Sequence, residues 1–405
     1  MSIIKVCVIT GSRAEYGLMR WLMEDLKNSS DFDLQVIVTG SHLLEDFGYT
    51  YKQIEQDGFF INKKLPFSIK NGKLSTLGKA VGELSSSLIE SYGELIPDLI
   101  MVMGDRYELL SVISSSVLSA IPVAHISGGE ITEGAIDDQI RHAMTKISHL
   151  HYVANDVYKE RVVQMGEEEW RVCVCGEPGL DNLQRQEVMT LEELEDNLEL
   201  DFSIPTALVT YHPVTLEKEN LNFQLDELQG AMEMLAEESD MQFVITYPNA
   251  DEGSEKIIKI WKDFVERKEG RVLIKSLGQS RYLSALQNLS VVIGNSSSGL
   301  VEAPSFNMPV VNIGNRQKGR MRGSNVVDVG YSSQEIKLAV EEILKVPKKE
   351  NCFNPYGEGN SSAKVLEHIK TSFTKNNKKQ ILTKRFQDSS LVIKKEKEFY
   401  IEFGD

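Results

Sequence analysis

Cysteine is scarce in this chain: Cys7, Cys173, Cys175 and Cys352 are the only four in 405 residues. They are too few and too scattered for a disulfide framework, and the one close pair is C-x-C rather than a zinc-type C-x2-C, so a reduced setting is expected. Long apolar runs are missing as well. None approaches the roughly 20 residues that a membrane-spanning helix requires, and the opening "IIKVCVITGS" (3–12) lacks a charged leader with a cleavage site. A soluble cytoplasmic protein is the expectation. Positive charge is in deficit, since 44 Lys+Arg against 60 Asp+Glu give a formal net charge of −16. That balance argues against nucleic acid or an anionic membrane surface as the main partner. Any phosphate the chain binds must therefore be held by local donors.

What the sequence does have is length and alternation. A chain of 405 residues exceeds one ordinary core and implies two domains. Short β-branched runs alternate with amphipathic stretches, the pattern of βα units feeding parallel sheets. One series reads "KVCVIT" (5–10), "LQVIVTG" (34–40), "DLIMVMG" (98–104), "IPVAHI" (121–126) and "LHYVAN" (150–155). A second reads "TALVTYH" (206–212), "QFVITYP" (242–248), "RVLIKSL" (271–277), "SVVIGNS" (290–296), "MPVVNIG" (308–314) and "NVVDVG" (325–330). Leu221, Leu225, Leu228, Met232 and Leu235 form a helical stripe that reads as core. The polar segment "EPGLDNLQRQEVMTLEELEDNLELDFSIP" (177–205) reads as the hinge. The expected organisation is an α/β protein of two Rossmann-like domains, 1–177 and 178–360, with the second binding nucleotide, a ligand cleft at the carboxyl ends of the strands, a helix at 361–373 and a Lys-rich surface tail at 374–405.

Open α/β sheets present their chemistry in the loops after the strands. "VITGSRAEYGLM" (8–19) has Gly11 for a turn and Arg13 at a helix start, so amides and a guanidinium can converge on a phosphate, although an ordinary βα turn explains it equally well. In "VMGDRYELL" (102–110), Asp105 is a good helix cap. The same Asp105–Arg106 pair is also suited to work on a substrate. "HISGGEITEGAIDDQIRHAMTK" (125–146) concentrates Glu130, Asp137 and Asp138 ahead of Arg141 and His142. Such a concentration is what acid–base chemistry needs, and a solvated acidic helix start is the alternative. His212 ends the first strand of the second series, and Asn249 lies in the loop after the next strand. The strongest anion signal is "VIGNSSSGLVEAPSFNMPVVNIGNRQKGRMR" (292–322), where Gly294 allows a sharp turn and Ser296, Ser297 and Ser298 join the helix start. Glu302 is placed to accept from a ribose diol, and Arg316, Arg320 and Arg322 follow in the next loop. No cluster has metal-ligand spacing, so metal-free chemistry is the default.

In order along the chain, "TGSRAEYG", "TGSHL", "IEQDGF", "GDRYE", "HISGGE", "IDDQIRHAMTK", "YPNADEGS", "GNSSSGLVE" and "NIGNRQKGR" resemble the hydrolysing UDP-N-acetylglucosamine 2-epimerases of sialic-acid and related nonulosonate pathways. The resemblance runs from the N-terminus to about residue 370. It implies the two-Rossmann glycosyltransferase-B architecture and a nucleotide-sugar substrate. It also implies a two-stage reaction, elimination to a 2-acetamidoglucal followed by hydration, which yields N-acetylmannosamine and UDP without NAD or metal. Carried over as nucleotide-sugar ligands are Arg13, Arg106, His212, Asn249, Ser296, Ser297, Glu302 and Arg316. Asp105 and one or both of Asp137 and Asp138 are carried over as acid–base carboxylates, and His212 lies near the leaving phosphate. One position departs from the pattern: Ser127 stands where many members have a catalytic glutamate. Either Asp105 and Glu130 then share the acid–base work, or the sugar differs. The related enzymes of legionaminic-acid synthesis, acting on UDP- or GDP-linked 2,4-diacetamido-2,4,6-trideoxy sugars, are the alternative, and a glycosyltransferase on the same fold is the second. The resemblance leans towards a homodimer or homotetramer.

Overall fold

The computed structural model describes residues 3–45, 48–67, 74–131, 136–248, 253–346 and 351–388. The chain forms two compact units. The first comprises Met1–Glu130, Ile136–Asp181 and Gly359–Asp405, and the second is built mainly from Asn182–Glu358.

The first unit carries a parallel sheet of β1 (Ile4–Thr10), β2 (Phe32–Val38), β3 (Lys63–Lys64), β4 (Leu99–Met103), β5 (Val123–Ile126), β6 (Leu150–Val153) and β7 (Val172–Val174). Their order is β3-β2-β1-β4-β5-β6-β7. Sequence order reverses between β1 and β4, which is the switch point where open α/β sheets place their ligands. β1 alternates its side chains between two buried layers. Val6 and Val8 pack with Tyr16, Met19, Leu22, Met23 and Leu26 of the helix Arg13–Asn28. Cys7 and Ile9 face Leu84, Leu88 and Tyr92 of the helix Leu74–Leu95 on the other side. Burial of both faces explains why these strands read as continuous apolar runs.

The second unit repeats the scheme with β8 (Thr206–Thr210), β9 (Gln242–Thr246), β10 (Arg271–Ile274), β11 (Val291–Gly294), β12 (Val310–Ile313) and β13 (Val326–Val329). The order is β10-β9-β8-β11-β12-β13, again all parallel. The Leu221–Leu235 stripe lies in its core against Ala207, Val209 and Phe243.

The chain leaves the first unit after Asp181 rather than at 177, and it rejoins at Gly359. Asp181 is fully buried, and its carboxylate accepts from the Ser361 and Ser362 amides at 2.7 and 2.9 Å and from the Ser362 hydroxyl. It thereby caps the returning helix Ser361–Lys375, whose Val365 and Ile369 enter the first core. The chain beyond residue 374 is more than the surface tail expected from its lysines. Buried Arg171 donates to the carbonyls of Ile381 and Thr383 at 2.8 and 3.1 Å. Lys384 reaches the fully buried Glu167 at 2.7 Å, and Glu167 also pairs with His151 and Lys146.

Candidate active site

In the first unit the loops after β1, β4 and β5 emerge side by side. After β4, Gly104 turns the chain with φ of 85°. Asp105 is not the helix cap that its sequence context suggests. The helix Leu109–Leu118 begins later, with Glu108 at the N-cap, and the Asp105 carboxylate pairs with Arg141 of the helix Ile136–Ile147 instead. The Arg141 side chain is only 5% exposed, so Asp105 supplies negative charge to a buried guanidinium.

Arg106 is held between two carboxylates. Its Nε donates to Glu108 Oε1 at 2.7 Å and lies 3.7 Å from Glu15 Oε1. Glu108 is almost fully buried, and the space beside Gly11 is filled by it: a Cβ on Gly11 would sit 2.6 Å from Glu108 Oε1. Glu15 accepts from the Gly11 amide at 2.8 Å. Burial pushes the Glu15 carboxyl up to about 7, with the charge of Glu108 adding to the effect and the Gly11 amide and Arg106 opposing it. Arg13 is exposed at the first position of its helix.

After β5 the chain turns sharply. Ser127 adopts φ of 66°, unusual for a residue with a side chain, and its buried Oγ has no hydrogen-bond partner among the described residues. Gly129 must be glycine, because a Cβ there would lie 2.4 Å from the Tyr158 carbonyl oxygen at φ of 76°. This turn carries Glu130 to a buried position, while Asp137 and Asp138 are half-buried at the start of the following helix. Asp138 lies 3.4 Å from His142. His125 is fully buried, its Nε2 2.8 Å from the Gly104 carbonyl, and burial lowers its pKa to about 3. It therefore supports the Asp105 loop as a neutral ring. His149 and His151 are structural as well, the first beside the Val123 amide at 3.2 Å and the second on Glu167 at 3.0 Å.

In the second unit, Asn295 organises the corresponding rim. Its Oδ1 accepts from the His212 amide at 2.7 Å and its Nδ2 donates to the His212 carbonyl at 2.9 Å, locking the ends of β8 and β11 together. Its own carbonyl accepts from Arg316 Nη1 at 3.0 Å and Gln317 Nε2 at 2.9 Å. Gly294 precedes it with φ of 138°, and a Cβ there would fall 2.0 Å from the Thr210 carbonyl oxygen. Burial, with Arg316 adding, lowers His212 to about 3, so its ring is neutral. Ser296 and Ser298 hydroxyls lie 3.3 Å apart, Tyr282 donates to Ser298, and Ser297 occupies the N-cap of the turn that follows. Burial raises Glu302 to about 7. Arg322 is held by Asp328 at 2.6 Å. Asn249 lies outside the described residues. An apolar cavity of about 650 Å³ runs along β13 and the helix Ser333–Lys345, and none of these site residues lines it.

Sequence reasoning alone passes over Glu15, Glu108, Asn295 and Gln317. Glu15 and Glu108 each stand inside a quoted string, "TGSRAEYG" and "GDRYE", without a role assigned to either. Their convergence depends on two loops meeting across the β1–β4 pair.

A family model described as UDP-N-acetylglucosamine 2-epimerase matches residues 24–370. The chain belongs to the UDP-N-acetylglucosamine 2-epimerase family. As a member of that epimerase family it is a nucleotide-sugar 2-epimerase with glycosyltransferase-B-type architecture. It is 38% identical over 389 residues to the hydrolysing GDP/UDP-N,N'-diacetylbacillosamine 2-epimerase of Campylobacter jejuni, a match that spans 96% of this chain and 100% of that one. With the UDP-N-acetylglucosamine 2-epimerase of Neisseria meningitidis it is 30% identical over 389 residues, again 96% of this chain and 100% of the relative. The crystal structure of a Neisseria meningitidis UDP-GlcNAc 2-epimerase bound to UDP-GlcNAc superposes with a TM-score of 0.77 at 20% identity, covering 91% of this chain and 100% of that one. Among the described residues of this epimerase, no helix is long and apolar enough to cross a membrane.

Proposed function

We propose that the protein is a hydrolysing 2-epimerase of a nucleoside-diphosphate-linked 2,4-diacetamido-2,4,6-trideoxy sugar. A carboxylate takes the C2 proton while the C1–O bond breaks and its electron pair leaves with the diphosphate, giving a C1=C2 double bond. Water then delivers hydroxyl to C1, and a proton returns to C2 on the opposite face. Asp105, Glu130, Asp137 and Asp138 are the acid–base candidates, and Asp105 is the best supported because Arg141 fixes its carboxylate at the strand end. Arg13 and Arg106 serve the diphosphate. Ser296, Ser297, Arg316 and Asn249 serve the nucleotide, with Glu302 on the ribose. His212, a neutral ring beside Arg316, donates a hydrogen bond to the leaving phosphate.

The observation that carries the choice of sugar is the difference between relatives. Identity is 38% to the diacetylbacillosamine enzyme and 30% to the UDP-N-acetylglucosamine enzyme, over equal lengths. UDP-N-acetylglucosamine, the sugar first implied by the motifs, therefore gives way to the diacetamido sugar. Ser127 supports the same choice, since it stands where the resemblance expects a glutamate. The test compares kcat/KM for UDP- and GDP-linked 2,4-diacetamido-2,4,6-trideoxyglucose with UDP-N-acetylglucosamine. A preference of at least about 10²-fold for a diacetamido substrate is expected, the scale of discrimination that a few pocket contacts provide. Equal or better turnover of UDP-N-acetylglucosamine would return the assignment to the plain sugar.

A further inference from the structure

We propose that Glu15 and Glu108 form a proton-holding carboxyl pair that positions Arg106 for the substrate's diphosphate. The idea rests on the functional reading above and deepens it, because neither acid belongs to the acid–base set. The two reach Arg106 from different loops. Glu108 Oε1 takes the Nε–H at 2.7 Å, and Glu15 Oε1 stands 3.7 Å from the same nitrogen. Fixing the guanidinium through Nε turns its outer edge, which also bonds the Tyr107 side chain, towards an anion, and the Arg106 side chain is 42% exposed.

The remaining oxygens show why a proton belongs here. Glu15 Oε1 and Glu108 Oε2 are both buried without a hydrogen-bond donor among the described residues. Two buried carboxylates against one guanidinium would leave an uncompensated negative charge and two unsatisfied acceptors. A single proton on Glu15 removes the excess charge and supplies a donor. Gly11 is what allows the approach, since any side chain there would occupy the place of the Glu108 carboxylate. The surrounding groups are all assigned. Asp105 adds negative charge towards Glu15 but is neutralised by Arg141, and Tyr107 follows Arg106 on the same loop. From the turn after β2, burial holds the His42 ring near 4, so it is neutral, and its Nε2 lies 3.1 Å from the Thr10 hydroxyl. Burial and Glu108 place the Glu15 titration near 7, within the working range.

Above that pH the proton leaves, and the cluster turns negative beside an anionic substrate. KM of the unmodified enzyme should rise on the order of tenfold between pH 6 and 8, following the protonated fraction of Glu15, while kcat changes less. Glu15→Gln, which keeps an acceptor for the Gly11 amide but cannot ionise, should flatten that rise. Glu108→Gln should raise KM already at pH 6, because it weakens the Nε anchor. A merely structural pair would not move the pH profile. A flat KM in the unmodified enzyme, or an active Glu15→Gln that keeps the parental slope, overturns the proposal; the first arm needs no variant to fold. Absence of turnover on every sugar nucleotide would sink the functional reading instead. In that case the affinity for UDP across the same pH range, taken as the difference between parent and Glu15→Gln so that the ligand's own ionisation cancels, still decides whether the pair acts on the diphosphate.

Discussion

At Asp105, the proposed acid–base role and folding are entangled, because its carboxylate pairs with a buried guanidinium. Asp105→Asn should lower turnover by at least about 10²-fold, the scale of a positioned acid–base group. It should also cost on the order of 1–3 kcal/mol of stability, since the charged bond to the buried Arg141 is weakened while Asp105 itself keeps some access to water. Loss of stability alone therefore says nothing against a chemical role. The double variant Asp105→Asn/Arg141→Gln separates the two. Chemical denaturation should show stability partly restored while turnover stays lost, whereas activity returning with stability would reduce Asp105 to a structural ion pair.

At the scale of elements, the C-terminal segment is bound through buried charge. Burial pushes the Glu167 carboxyl up, but the bonds from His151, Lys146 and Lys384 outweigh it and bring the group down to about 2. Lys384→Met removes one of these bonds and should destabilise the first unit by about 1.5–3 kcal/mol, the usual worth of a hydrogen bond to a charged group. An unchanged Tm in calorimetry would mean that the segment merely lies on the surface. This element also marks the limit of legibility in the sequence. Five strands of the first sheet, the six of the second and the Leu221–Leu235 stripe can be read because continuous apolar runs and a period of 3.6 are local, whereas the short β3 and β7 escape that reading. Asp105, Glu130 and Ser296 can be put forward as candidates because strand-end loops are where such sheets do chemistry. Glu15 meets Arg106 across 91 residues (106 − 15), and Lys384 meets Glu167 across 217 (384 − 167). No local pattern encodes those meetings.

At the scale of the whole molecule, two sheets of one design carry different side chains at their strand ends. The first unit gathers carboxylates and arginines at its switch point, and the second builds a glycine, serine and arginine rim around Asn295. That division suits a reaction in which a carbon acid is deprotonated while a nucleoside diphosphate departs. The central claim is thus elimination followed by hydration, and isotope labelling tests it most directly. The protein is incubated with a UDP- or GDP-linked 2,4-diacetamido-2,4,6-trideoxyglucose in buffered D2O, and the products are followed by NMR. The account predicts free sugar of inverted C2 configuration, one deuterium at C2, and stoichiometric nucleoside diphosphate. A released sugar that keeps protium at C2, or a nucleotide sugar that stays intact until an acceptor is added, would contradict it.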